Sequence, residues 1–331
     1  MSSSPSSSWS RIALGTGALL GGAYAGLSAA RWRLRQSLPP SQSLSPALDW
    51  PTGLLESPWG RMHYYTRPGT GVPIVLLHSF NAAASSYEMK PLAEHLADTT
   101  DRPLYAVDWL GFGRSSRRAM AYRPALYRRQ LFRMLTEVID QPADVVALSL
   151  GCEYAAQGAL QAAPHVRRLV LLSPTGLTDA RGPSPLGQLG LIAAECTGTF
   201  ELLFYRLTRP ASLRNYYARQ VFLDADAVPA DLLDYAYTTS HARGAHHAPL
   251  RFVDGSLFLT DVADSVYARL YRPTLILTPE RPGPTIQQFD RLPHVRNRAS
   301  DLRHASVPGG LMPHWEAPGP CFDALDSFLS P

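Results

Sequence analysis

Ser149 is the residue of this sequence best placed for covalent chemistry. It stands in Ala147-Leu-Ser-Leu-Gly151, with a small residue two positions away on either side. Before it, Val145 to Leu148 is an apolar, β-branched run suited to a buried parallel strand. After it, from Gly151, the residues Cys152, Ala155, Ala156 and Ala159 give a helix a small face that packs close to a sheet. Small-x-Ser-x-small between strand and helix is the layout of a nucleophile elbow. The turn is so tight that positions two away must be small, and the hydroxyl is held up at the carboxyl edge of the sheet. The helix behind it offers free backbone N–H groups to a developing negative charge. The chemistry this supports is acyl transfer. That also needs a base for the serine proton, a group to orient the base and donors for the oxyanion.

The same five residues arise by chance in small-residue corners, so the surrounding elements decide. Trp59 to Thr66 alternates like an antiparallel edge strand, turned by Pro68-Gly-Thr-Gly71. Pro73 to His78 is a continuous apolar strand, followed by a helix from about Ser86 to Ala97. Leu104 to Val107 is another buried strand, and a helix from about Arg123 to Ile139 leads to the serine strand. Further strands follow at Arg168–Leu172, Arg272–Leu277 and His304–Val307, with a closing helix at about Gly319–Leu329. Strands alternating with helices at this spacing predict an α/β fold with a doubly wound, mostly parallel sheet.

From about residue 57 to 329 the chain resembles the α/β-hydrolase superfamily, in its serine esterase/lipase-like branch with a helical lid. The matching pieces are the strand ending in His78, Asp108-Trp-Leu-Gly-Phe-Gly-Arg-Ser115, the elbow at 147–151, Pro273-Thr-Leu-Ile-Leu277 and Pro313-His-Trp-Glu-Ala-Pro318. The resemblance implies a core at 58–176 and 269–331, with residues 177–268 as a lid over an apolar pocket. It also implies an oxyanion hole made by the backbone N–H groups of Phe80 and Leu150. Ser79 replaces the usual glycine after His78, which is tolerable if its φ is negative. His78 itself is expected to brace that loop.

The rest of the catalytic set departs from the family's pattern. Pro279 stands in a glycine slot and Pro282 in the acid slot, while Leu311 stands where the base belongs. A proline and a leucine cannot transfer protons. The nearest substitute is His314, three residues on and ~5 Å along a helix, oriented by Glu280 or Asp179. Its other reading is a second histidine at the start of the last helix. His241, His246 and His247 in the lid lack acidic or cysteine partners at ligand spacing, and the last two side chains are expected to diverge, so no metal is expected. No cofactor is implied. Cys152 is expected against the sheet, and Glu153 facing solvent or capping its helix.

Composition is globular, with 45% hydrophobic and 18% charged residues. Residues 1–50 carry four arginines and one aspartate, net +3, which leaves +1 of the total +4 for the remainder. There is no basic stripe interleaved with aromatics, so nucleic acid is not an expected partner. Three scattered cysteines do not form a disulfide framework. Residues 1–36 are read as a disordered start plus a membrane anchor or signal segment. Ile12 to Ala30 runs without a charge between Arg11 and Arg31, and eleven of its 19 residues are Gly or Ala. As a helix it would rise ~28 Å, near the ~30 Å hydrocarbon core of a bilayer. The first reading is an uncleaved anchor, because Arg31, Arg33 and Arg35 favour a cytoplasmic body. A signal peptide cleaved at Ala23-Tyr-Ala25 and an organelle transit peptide are the alternatives. Residues 37–57, with four prolines, are read as a linker.

Two functions are expected from this. One is a membrane-attached serine hydrolase acting on a lipophilic ester or amide through Ser149 with a non-standard acid/base set. The alternative is a non-catalytic α/β-hydrolase-fold protein that binds an apolar small molecule or a protein partner.

Overall fold

The computed structural model describes residues 22, 25–178, 185–283 and 287–330. A helix, α1 (residues 25–37), comes first. The sheet strands are β1 (Thr52–Leu55), β2 (Met62–Arg67), β3 (Ile74–Leu77), β4 (Leu104–Val107), β5 (Ala143–Leu148), β6 (Val166–Leu172), β7 (Thr274–Pro279) and β8 (Leu302–Val307). They lie in the order β1-β2-β4-β3-β5-β6-β7-β8. The pairs β1/β2 and β2/β4 are antiparallel, and every pair from β4 to β8 is parallel. The doubly wound, mostly parallel sheet expected from the sequence is therefore present.

Parallel strands must be covered on both faces, and β3, β5 and β7 are buried at every residue. Alternation along β5 sends Val145 and Ala147 to one core and Val146 and Leu148 to the other. The first core is roofed by α3 (Pro124–Arg133) and α4 (Gly151–Gln161), whose Tyr127 and Tyr154 pack with Phe80 and Trp109. The second is roofed by α2 (Lys90–Thr99) and, much later in the chain, by the closing helix Pro318–Leu329. Each leucine buried there, such as Leu92 or Leu325, contributes about 1.5–3 kcal/mol.

Between β6 and β7 the chain leaves the sheet and, among the described residues, builds six helices: α5 (Pro185–Thr197), α6 (Thr199–Leu207), α7 (Pro210–Tyr216), α8 (Ala230–Ser240), α9 (His247–Val253) and α10 (Val262–Ser265). A π-helical turn, Tyr217–Val221, continues α7. Among the described residues three helices follow β7: α11 (Leu292–Arg298), the single turn α12 (Pro313–Glu316) and α13 (Pro318–Leu329).

Some sequence expectations are corrected. The helix expected over Ser86–Ala97 is a 3-10 turn at Ser86–Met89 followed by α2. The linker read at 37–57 is not free chain. Leu38, Leu44, Ala47 and Leu48 are buried, and Thr52–Leu55 extends the sheet as β1. Apolar side chains between its prolines find room against the body, which outweighs the disorder their setting suggests. Residues 12–30 lie largely outside the described residues. Among the described residues, no helix is long and apolar enough to cross a membrane.

Candidate active site

Ser149 sits between β5 and α4 with φ of 53°, the left-handed conformation a side chain rarely adopts. Two backbone hydrogen bonds hold it: its N–H donates to Leu172 O at 2.9 Å, and its carbonyl accepts the Cys152 N–H at 3.0 Å. The small residue at 151 has a concrete cause. A β-carbon on Gly151 would stand 2.7 Å from the His78 carbonyl oxygen. Cys152 lies against the sheet as expected, its Sγ on the Ala147 and Leu172 carbonyls.

The loop after β3 faces the serine. Ser79 donates its N–H to Glu88 Oε2 at 2.9 Å, and Asn81 Nδ2 donates to Glu88 Oε1 at 2.6 Å and to Ser79 Oγ at 2.9 Å. Ser79 is not among the residues of positive φ, so replacing the glycine here leaves the loop unstrained. Burial raises the Glu88 carboxyl above its ordinary pKa. Among the described residues, the N–H groups of Phe80 and Leu150 donate to no protein acceptor. Both residues are buried, and Phe80 shares the cavity with Ser149. His78 donates from Nδ1 to Ser79 O at 2.6 Å and accepts the Trp109 N–H on Nε2 at 3.2 Å. Burial lowers its pKa to about 4, so it stays neutral as a brace.

The Asp108 motif supports this loop from the next strand. Asp108 accepts from the N–H groups of Ser86 (2.8 Å) and Arg114 (2.9 Å). Gly113, with φ of 49°, makes the space: a β-carbon there would be 2.1 Å from the Asp108 carboxyl carbon.

The remaining triad positions are filled by groups that cannot take a proton from Ser149. Leu311 lines the cavity, its N–H donating to Val221 O at 2.6 Å. Pro282 and Glu280 are exposed, and Glu280 is tied into the strand by its N–H on Val307 O at 3.0 Å. Asp179 lies outside the described residues. The structure does not bring His314 to the serine. Pro313 starts α12, and the turn aims the His314 ring at the Glu88 carbonyl, to which Nε2 donates at 2.7 Å. Its Nδ1 is buried with no hydrogen-bond partner among the described residues, and burial lowers its pKa to about 4. What does meet Ser149 is Gln287, whose Nε2 donates to Oγ at 2.9 Å. In either amide orientation a carboxamide has no basic lone pair near neutral pH, so it cannot act as general base.

Ser149, Gln287 and Leu311 line a cavity of about 290 Å³, near the small end of ligand sites. Its floor is Phe80, Leu148 and Ser149. Its roof comes from the helical insertion, with Tyr216, Tyr217, Gln220, Val221 and Phe252. Gln287, Glu88, Asn81 and Gln220 were not singled out by the sequence reading, because nothing in their spacing marks an amide or a buried acid for this site. Among the described residues, no cluster of three His, Cys, Asp or Glu could hold a metal. The His246 and His247 rings do not diverge but lie 4.0 Å apart.

Glu153 is also corrected: it is buried, not turned to solvent. Its Oε1 accepts the Thr175 hydroxyl at 2.6 Å and Oε2 the Leu259 N–H at 2.9 Å, tying the first turn of α4 to the returning insertion. Burial pushes its pKa up to about 7. Between the ordinary value of about 4.5 and about 7, the folded chain therefore binds more protons here than the unfolded chain. Glu153 thus lowers stability as pH rises through that window, by up to about 3 kcal/mol, and adds no further slope above it. Urea unfolding of Glu153→Gln should be flatter than wild type between pH 4.5 and 7. Parallel curves for the two proteins would refute the assignment.

The fold and the elbow now define a class. The chain belongs to the alpha/beta hydrolase family, whose model matches residues 74–324. Among solved structures it is similar to a probable hydrolytic enzyme from Pseudomonas aeruginosa PAO1, with TM-score 0.68 and 18% identity over 90% of this chain and 100% of that one. It is also similar to a thermophilic esterase from Thermogutta terrifontis (TM-score 0.63, 18% identity, 84% of this chain and 98% of that one). Carboxylesterase CesB from Bacillus subtilis gives TM-score 0.64 at 17% identity, over 92% and 99% of the two chains. No curated protein matches.

Proposed function

We propose that this chain holds, rather than turns over, a small and mostly apolar ligand with one carbonyl or oxyanion group. The observation that carries this reading is the Gln287 amide on the Ser149 hydroxyl at 2.9 Å. With Leu311 also in the cavity wall, no basic side chain among the described residues hydrogen-bonds the serine oxygen. The N–H groups of Phe80 and Leu150 supply donors for the ligand oxygen, and the aromatic and aliphatic walls take its apolar part.

A second reading keeps the chemistry: a serine hydrolase on a lipophilic ester or amide, with Ser149 as nucleophile, His314 as base and Glu280 as acid. The left-handed φ of Ser149 favours it. Such strain costs of order ~1–3 kcal/mol, and a scaffold with no covalent step has no use for it. Incubation of the full chain with a fluorophosphonate, read by intact mass and peptide mapping, separates the two. The binding reading expects Ser149 to label ~10³-fold or more slowly than in an ordinary serine hydrolase. Fast labelling of Ser149 replaces it with the hydrolase reading, and fast labelling that survives His314→Ala removes His314 as base. Attachment to a membrane through residues 12–30, with the body in the cytoplasm, belongs to both readings. Its test is co-flotation of the full chain with lipid vesicles.

A further inference from the structure

Helix α5 is apolar on both of its faces. Its single charged residue is Glu195, which pairs with Arg251 of α9. Leu191 and Ala194 turn inward to a small core of Leu38, Phe200, Phe204 and Leu250, which Leu34 of α1 also joins. At 3.6 residues per turn, Leu186, Leu189, Ile192 and Cys196 fall on the opposite side. That side is open: Leu186 is 78%, Leu189 62% and Ile192 53% exposed, and Cys196 is exposed as well. A helix apolar all round is ordinarily buried on all sides. Here half of that surface meets nothing among the described residues.

Helix α1, which packs on the same insertion, points to the occupant. Helix α1 is clasped to the insertion: Arg31 Nε and Arg35 Nε reach Glu201 at 3.0 and 2.7 Å, and the Arg31 guanidinium packs over Gly198 between α5 and α6. The same helix turns Trp32 outward, 64% exposed, with Arg33 exposed next to it. An outward tryptophan beside an arginine suits the boundary between lipid and water. The uncharged run 12–30 leads into α1 and supplies its first residues, 25–30.

We propose that the outer face of α5, together with Trp32, rests in the surface of a lipid bilayer, so that the helical insertion lies on the membrane. This rests on the reading that residues 12–30 attach the chain. Leu186, Leu189 and Ile192 enter the boundary between headgroups and acyl chains, and Trp32 and Arg33 stay at headgroup depth.

Cys196 makes the test possible without adding a cysteine, because Cys152 and Cys321 are buried. The full chain, labelled at Cys196 with bimane, is mixed with vesicles of phosphatidylcholine and phosphatidylglycerol. Expected are co-flotation, a blue shift of the bimane emission, and at least twofold quenching by a lipid spin-labelled near the headgroup. Leu189→Glu with Ile192→Glu should abolish the quenching while flotation persists. If that variant fails to fold, quenching in wild type decides alone. Flotation with solvent-like, unquenched bimane overturns the docking and leaves the attachment standing. Failure to float overturns both. A Cys196 that is already shielded without lipid, and unchanged by vesicles, shows that another segment or a second copy covers α5, and overturns the docking.

Discussion

Leu311→His is expected to raise hydrolysis of p-nitrophenyl acetate by about 10²-fold or more over wild type, the lower range for a positioned general base. Leu311 borders the same cavity as Ser149, is buried to 9% exposure, and has its backbone fixed by Val221. A histidine there is held at the rim of the elbow and not free to swing away. The Gln287 amide now occupying the serine oxygen competes with it, so Leu311→His combined with Gln287→Ala should be faster still. Adding Ser149→Ala to that pair must return the rate to background. If the rate does not rise in either variant, or survives loss of the hydroxyl, a missing base is not what silences the elbow, and the case for binding over turnover weakens with it.

Asp144→Ala should remove about 3–5 kcal/mol from the free energy of unfolding in urea, a large part of what a domain possesses. Asp144 is fully buried at the amino end of β5 and takes hydrogen bonds from Arg102 Nη2 at 2.5 Å and from Arg167 Nε and Nη2 at 2.8 and 2.5 Å. Its removal leaves two guanidinium groups crowded at the edge of the core with no counter-charge between them. The site is five residues, or ~16 Å, along the strand from Ser149, so ligand affinity per folded molecule should hardly change. A loss under about 1 kcal/mol would place the pair in the weak class of solvent-screened surface bridges.

The parts of this molecule legible in the sequence are those decided by local rules. Val145 to Leu148 reads as a buried strand because alternate residues must fill two cores, and Gly151 reads as small because a carbonyl lies within a β-carbon's reach. The parts that were not legible depend on distant chain. Gln287 meets Ser149 across 138 residues, from a loop whose pattern offers only prolines at the expected acid. Glu153 looks like an outward charge on α4, yet Thr175 and Leu259 arrive to receive it. β1 is four residues of Thr-Gly-Leu-Leu, too short to announce itself, and it pairs because Gly53 leaves room for the Tyr64 ring. The departures at Pro282 and Leu311 were plain from the sequence. What stands in their place needed coordinates.

The strap formed by α1 and the residues after it has a practical corollary. Arg243 of the insertion donates its N–H to Pro39 O, Tyr235 its hydroxyl to Ser45 O, and Ala47 its N–H to the Tyr65 hydroxyl of β2. One short run of backbone thus stitches cover to sheet. Trimming an expression clone to begin at residue 58 would delete β1 and bare the apolar surfaces that Leu38, Leu44 and Leu48 now cover, so that a cut made to remove a loose lead would take away a wall of the building.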